Sequence, residues 1–290
     1  LSQYVSGMMM AATRLDGTLH IHLTDPKETP YLTMTRKWLE SLGAKVRISD
    51  DFKEIEVDGN LSIKAFDRTI PSDWEAVAFP LIAALITDST LVIDGVDGTG
   101  TQGDDAIVSV LQSVGADIEW DKEKETLTIR GMSHAKNGTG YLSTAALADK
   151  TLRVNLSGFP DAVCALAVIA CFIDGKTILE DLGVCRKKET DRIAVLKKEL
   201  TKLGADIEEG EDFLVINGHS PINKDGGKNN AFTLHGALVE SYDDHRVAMA
   251  LSCAGLHLGD VRVKDAECCA VSFPHFFEVM AKNGANFIEG

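Results

Sequence analysis

Four cations crowd into seven residues, Arg186-Lys187-Lys188-Glu189-Thr190-Asp191-Arg192, of a chain whose formal net charge is −15. Glu189 stands among them, and a carboxylate in such company is either a neutralising partner or a proton-transfer group whose charge the cations stabilise. The apolar residues that follow, Ile193, Leu196, Leu200 and Leu203, keep helical spacing. The run therefore sits where a helix starts, with Thr190 as the expected cap. A helix start offers unpaired N–H groups and a partial positive charge, so Lys188 and Arg192 added to it make a socket for an anion. Taken alone, the same run also fits a solvated basic helix end.

A second cluster, Ser241-Tyr242-Asp243-Asp244-His245-Arg246, repeats the grammar and leads into Val247-Ala248-Met249-Ala250-Leu251. Asp243 is its expected cap, which leaves Asp244, His245 and Arg246 in the first turn. A third start is Phe159-Pro160-Asp161, followed by residues 162–173 without a charge. Proline suits a first helical position, and Asp161 then lies in the opening turn of a buried helix, where an acid commonly caps. These three starts form one site only if the fold brings them together.

With 290 residues, 44% of them hydrophobic, the chain fits one large or two ordinary globular domains. Its acidity argues against nucleic acid or an anionic membrane surface as the main partner, since both reward a basic face. A small anionic substrate stays compatible, because bulk charge does not set the charge of a pocket. The six cysteines, Cys164, Cys171, Cys185, Cys253, Cys268 and Cys269, form no C-x-x-C pair, which fits reduced thiols in the cytoplasm. Cys185 lies beside the basic run and could act as a nucleophile, but packing explains it better. His20 and His22 share one face of a strand without a third ligand at a fitting spacing, so no metal site is expected. No run is long enough to cross a bilayer, and residues 4–12 lack a basic leader. Leu1 falls inside what reads as a folded element, so further residues are expected before it.

The elements that must position these residues come in repeats. One phrase recurs as Leu42-Gly43-Ala44, Val114-Gly115-Ala116, Leu203-Gly204-Ala205 and Asn283-Gly284-Ala285, with its glycines 72, 89 and 80 residues apart. Each copy ends an amphipathic helix on a glycine cap and enters a strand. In three copies a polar turn and a second strand follow, at residues 54–57, 126–129 and 213–216, which is a hairpin. An earlier helix and strand belong to each full module: 72–86 with 90–93, 161–173 with 176–179, and 243–256 with 260–263. Helices apolar all round imply an α/β fold of repeated modules with helices buried and sheets outside. A polar, proline-bearing link at 67–71 divides the chain into residues 1–69, a first, partial module, and residues 70–290, three complete modules. Residues 221–230 read as an exposed loop. Around a pseudo-threefold axis, equivalent helix starts emerge at one end and the charged ones converge.

Lys188-Glu189-Thr190-Asp191-Arg192, Tyr242-Asp243-Asp244-His245-Arg246-Val247-Ala248-Met249, Pro160-Asp161-Ala162 and Gln102-Gly103-Asp104 together resemble the 5-enolpyruvylshikimate-3-phosphate synthase family. Ser2-Gln3-Tyr4-Val5-Ser6 near the start and Ser272-Phe273-Pro274-His275-Phe276-Phe277 near the end fit the same family, so the resemblance covers the whole chain. It implies an inside-out α/β barrel of the enolpyruvyl transferase kind, with residues 1–69 as the last module of the N-terminal-side domain. The implied reaction moves the enolpyruvyl group of phosphoenolpyruvate to the 5-hydroxyl of shikimate 3-phosphate and releases phosphate. By resemblance Glu189 handles the methylene proton, Asp161 deprotonates the hydroxyl, Lys188 holds both near the substrates, and Asp244 and His245 assist. Arg192 and Arg246 would grip phosphoenolpyruvate, while Ser2, Gln3 and Tyr31 would contact shikimate 3-phosphate. No metal or organic cofactor is implied, and the protein is expected to be a cytoplasmic monomer. Leu1, Glu28, Val184 and Val271 depart from the family pattern, and an acid at Glu28 would repel phosphate. Two other readings are a noncatalytic relative that binds a phosphorylated small molecule or a partner, and the related transferase acting on UDP-N-acetylglucosamine.

Overall fold

The computed structural model of the chain describes residues 2–289; Leu1 and its departure from the family pattern lie outside the described residues. Two compact units are present. The smaller holds the chain through Pro71 together with Thr99–Gly103 and Ser157–Phe159, and the larger holds Ser72–Gly98, Asp104–Leu156 and the chain from Pro160 onward.

The small unit is one helix-and-sheet module. Helix α1 (Ser2–Ala12) carries no charged residue, β1 (Thr18–His22) follows, and α2 (Thr29–Ser41) begins with Pro30 in its first turn. Strands β2 (Val46–Ile48) and β3 (Glu54–Asp58) form a hairpin, and the antiparallel sheet runs β1-β3-β2. Alternation along β3 sends Ile55 and Val57 into a core with Val5, Met9, Leu32 and Leu39. The same alternation leaves Glu54, Glu56 and Asp58 on the outer face opposite His22, His20 and Thr18.

In the large unit the module recurs. The first copy is α3 (Trp74–Ile86), β4 (Thr90–Asp94), α4 (Ala106–Ser113), β5 (Asp117–Asp121) and β6 (Thr126–Arg130). The second is β7 (Thr151–Asn155), α5 (Val163–Ala170), β8 (Gly175–Glu180), α6 (Arg192–Lys202), β9 (Asp206–Glu209) and β10 (Leu214–Gly218). The third is β11 (Leu238–Glu240), α7 (His245–Leu258), β12 (Arg262–Lys264) and α8 (Phe276–Lys282). Their sheets are β4-β6-β5, β7-β8-β10-β9 and β11-β12, with the β7–β8 and β11–β12 pairs parallel.

Helices α3, α5 and α7 pack on one another. Past their first turns, residues 76–86, 163–170 and 247–256 carry no charge, so these helices can be buried on every side. The acidic and guanidinium side chains of these helices are thus confined to their N-terminal ends. The sheets lie on the outside of this helical centre, which makes the large unit an inside-out α/β fold. Trp74 is fully buried at the α3 start; its indole N–H donates to the Asp97 carbonyl at 2.9 Å, and its ring meets Trp120 edge-on at 4.8 Å.

The repeated glycines explain how each module turns. Gly43, Gly115, Gly204 and Gly284 adopt φ of 97°, 98°, 91° and 98°. In each case the glycine N–H bonds three residues back and the next N–H bonds five residues back, as in Ala205 to Leu200 at 3.0 Å. That paired closure satisfies the last helical carbonyls and needs a positive φ that only glycine adopts without strain.

Two expected caps move by one residue. Asp191, not Thr190, caps α6, accepting the Ala194 N–H at 3.1 Å, and Asp244, not Asp243, caps α7. Tyr242 and Asp243 have φ of 55° and 60°, which keeps both outside the helix. The helix expected over 161–173 is shorter, a 3₁₀ turn at Pro160–Ala162 followed by α5, because Cys171, Phe172 and Ile173 close tighter bonds to residues three back.

Candidate functional site

Three helix starts of the large unit meet at one guanidinium. Arg192 opens α6 and is fully buried; its Nη1 lies 2.5 Å from Oδ1 of Asp161, and its Nη2 lies 2.6 Å from Oε2 of Glu189. Its Nε donates to Oδ2 of Asp244 at 2.8 Å, and Nη2 also reaches Oδ1 of Asp244 at 3.2 Å. All three nitrogens are therefore engaged. Burial opposes its charge, yet its pKa lies above the ordinary guanidinium value because the carboxylates of Asp244 and Asp161 stand against it.

Asp161 is the second node. Lys188 Nζ stands 3.2 Å from its Oδ2, and Arg246 Nε stands 3.5 Å from its Oδ1. Burial alone would push its carboxyl up, but Arg246, Arg192 and Lys188 hold it below the ordinary carboxylate range. Arg246, in the first turn of α7, also pairs through Nη2 with Oε2 of Glu75 in the first turn of α3.

Asp244 is wholly covered. One oxygen accepts the Arg246 and Val247 backbone N–H groups at 2.9 and 3.4 Å; the other takes Arg192 and, at 3.3 Å, the Thr190 hydroxyl. Burial opposes its charge, yet the Arg192 bonds and the two backbone donors keep it ionised below the usual range. His245 is buried beside it, and burial together with Arg246 depresses its pKa, so the ring is neutral at pH 7. Glu189 is the open member of the group, with 46% of its side chain exposed.

Asp161, Lys188, Glu189, Arg192, Asp244, His245 and Arg246 thus come together within the large unit. Of the four cations in the basic run, Arg186 lies apart: it grips Asp191 at 2.7 Å and the Glu211 carbonyl at 2.7 Å, while Lys187 is exposed. Ser2, Gln3 and Tyr31 belong to the small unit. There Ser2 is buried, and its N–H and its hydroxyl both donate to Oε2 of the buried Glu28 at 2.9 Å. Gln3 is exposed in the first turn of α1, and Tyr31 is half-buried in the first turn of α2.

Glu75 escaped the reading of the sequence. Its only local signal is an acid next to a cap, Asp73, at the head of an uncharged run, which is the grammar of the other three starts. Among the described residues no group of three or more His, Cys, Asp or Glu could hold a metal ion. His20 and His22 instead face Glu56 at 3.2 Å and Glu54 at 2.6 Å. Cys185 is buried.

This arrangement of modules is that of the enolpyruvyl transferases. An EPSP synthase from Acinetobacter baumannii superposes with a TM-score of 0.77 at 25% identity, covering 99% of this chain and 61% of that one. The enolpyruvyl transferase NikO from Streptomyces tendae shares the fold, with a TM-score of 0.71 at 18% identity over 97% of this chain and 59% of that one. Residues 1–280 match the family described as EPSP synthase (3-phosphoshikimate 1-carboxyvinyltransferase), and the chain belongs to that family. The 3-phosphoshikimate 1-carboxyvinyltransferase of Ruminiclostridium cellulolyticum is 35% identical over 284 residues, covering 98% of this chain and 60% of that protein. That of Natronomonas pharaonis is 35% identical over 303 residues, covering 100% and 63%. The chain therefore spans about three fifths of the length of these relatives.

Proposed function

We propose that this chain supplies most of an enzyme that transfers the enolpyruvyl group of phosphoenolpyruvate to the 5-hydroxyl of shikimate 3-phosphate. The observation that carries the reading is the meeting of Asp161, Lys188 and Glu189 around Arg192 and Arg246. The chemistry needs a proton delivered to the methylene carbon, a hydroxyl that loses its proton as its oxygen attacks the adjacent carbon, and expulsion of phosphate with return of the methylene proton. Two carboxylates with different surroundings suit two proton tasks.

Glu189, open to solvent, exchanges the methylene proton. Asp161 takes the hydroxyl proton, assisted by Lys188. With its pKa held down, Asp161 is a weak base; an anion that draws Lys188 and Arg246 toward itself raises that basicity as it binds. Arg246 and Arg192 are the phosphoenolpyruvate ligands, bidentate guanidinium geometry suiting carboxylate and phosphate. Since Arg192 is fully buried, its contact with a substrate requires Asp161 or Glu189 to give way. Asp244 serves by positioning Arg192 and the first turn of α7, and neutral His245 offers a hydrogen bond. Ser2, Gln3 and Tyr31 are proposed contacts of shikimate 3-phosphate. In this reading residues 1–69 are the last module of one domain, residues 70–290 are the next domain, and the protein is a cytoplasmic monomer.

A second reading, a noncatalytic relative that binds a phosphorylated small molecule, is favoured by one observation: the buried Glu28 carboxylate already takes both donors of Ser2. Phosphate release in the presence of both substrates, measured with the chain completed by the remaining two fifths of a relative, separates the two. The proposed enzyme releases phosphate only when both substrates are present, and Glu189→Gln lowers turnover about 10²- to 10⁴-fold while phosphoenolpyruvate still binds. Binding without turnover supports the second reading, and unchanged turnover in Glu189→Gln removes Glu189 from the mechanism.

A further inference from the structure

Glu75 stands outside every sequence motif of the site, yet it pairs with Arg246, one of the site's cations. It comes from the first turn of α3, and its partner Arg246 lies 171 positions later in the chain. The two side chains are only 17% and 11% exposed, so water and salt screen their attraction poorly. On its other side the same guanidinium faces Asp161 across 3.5 Å. Arg246 is therefore bracketed by two carboxylates before any substrate arrives.

Glu75, Asp161, Glu189 and Asp244 face Lys188, Arg192 and Arg246, which leaves the group formally one unit negative. Without Glu75 it would balance. Transfer chemistry gives work to Asp161 and Glu189, and the cap of α7 occupies Asp244, but nothing in the reaction calls for Glu75. An anionic ligand that brings oxygens to Arg246 competes there with the carboxylates already beside it, Glu75 at Nη2 and Asp161 across 3.5 Å from Nε. Asp161 is also held by Lys188 and Arg192, whereas Glu75 makes the hydrogen bond to Arg246 itself, so the contest for that guanidinium falls on Glu75.

We propose that Glu75 is an internal counter-ion that competes with the substrate anion for Arg246, and that it sets how tightly this chain holds phosphoenolpyruvate. The proposal rests on Arg246 being a phosphoenolpyruvate ligand. Glu75 is a positioning residue: in the empty site it keeps the guanidinium paired and oriented, and it releases that guanidinium to the incoming anion. The cost is weaker binding than the same cations would give beside a neutral residue.

Glu75→Gln removes the charge while keeping the size and one acceptor oxygen. Calorimetry of phosphoenolpyruvate binding to the full chain, with and without the substitution, is the first readout. Modification of Arg246 by phenylglyoxal, followed by peptide mass, is the second and involves no ligand. The expected result is binding about fivefold tighter or more in Glu75→Gln, with faster modification of Arg246. If neither protein binds phosphoenolpyruvate but Arg246 still reacts faster in the variant, the counter-ion role stands and the phosphoenolpyruvate assignment falls. Equal modification rates overturn the proposal, and so does measurable binding that the substitution fails to tighten. Glu75→Asp, which keeps the charge but withdraws it by one methylene, gives intermediate values in both readouts and serves if the glutamine variant folds poorly.

Discussion

The outer face of the small unit's sheet pairs Arg47 with Glu56 at 2.6 Å and Asp58 at 2.9 Å, while the start of α6 pairs Arg192 with Asp161 at 2.5 Å and Asp244 at 2.8 Å. By distance and residue type the two networks are close equivalents. Their surroundings differ: half of the Arg47 side chain is in water and none of Arg192 is. The sheet network follows from strand alternation, which lines up His20, His22, Glu54, Glu56, Asp58 and Arg47 on a face that nothing in the small unit covers. The α6 network follows from helices whose apolar lengths bury them and leave charge only at their ends. A count of ion pairs cannot tell a site from a solvated face. Burial of the charges at converging helix starts can.

That contrast breaks first at Arg192. Arg192→Ala leaves Asp161 and Asp244 facing each other's charge without a shared cation, and the large unit is expected to lose about 3–5 kcal/mol of stability. A denaturant midpoint read separately on probes in each unit checks this, and a loss below about 1 kcal/mol would place Arg192 with the surface pairs.

Acid separates the networks next. Asp161 and Asp244 have folded pKa values below their ordinary value of 3.8, so the stability they contribute is complete above that pH and is lost as the pH falls through the lower folded values. Glu56 and Asp58 are lowered too, by hydrogen bonds from Arg47, but in open solvent. Unfolding curves between pH 6 and 2 should therefore keep the large unit's acid transition in about 1 M salt and lose any contribution from the sheet face. His245 adds a shallower slope. Its depressed pKa means that the fold disfavours its protonation, so stability declines as the pH falls from 6.5 toward the folded value. A large-unit transition that salt abolishes would contradict the burial argument.

The smallest effect belongs to the exposed network. Arg47→Ala is expected to leave the thermal midpoint of the small unit where it is, because water already screens what the pairs hold together. A clear drop would mean that the sheet face is covered in solution.

Much of this was legible in the sequence because it is local. The glycine phrases ended four helices with one closure, since two short-range hydrogen bonds and a positive φ need no distant partner. The uncharged lengths of α3, α5 and α7 pointed to buried helices for the same reason. What could not be read locally was decided by distant partners. Thr190 and Asp191 are both good caps, and Arg186 and Asp244 settle the matter by engaging Asp191 and Thr190 respectively. Glu75 looked like an ordinary first-turn acid, because the guanidinium that gives it meaning enters the fold two modules later.

The central claim is that the buried helix-start network, and not the exposed sheet face, receives phosphoenolpyruvate. A crystal structure of the chain with phosphoenolpyruvate bound tests it most directly. Ligand oxygens are expected within hydrogen-bond reach of Lys188 and Arg246, with the Arg246–Glu75 pair opened. Phosphoenolpyruvate seated on the Arg47 face, with the Lys188–Asp161 and Arg246–Glu75 pairs intact, would contradict it.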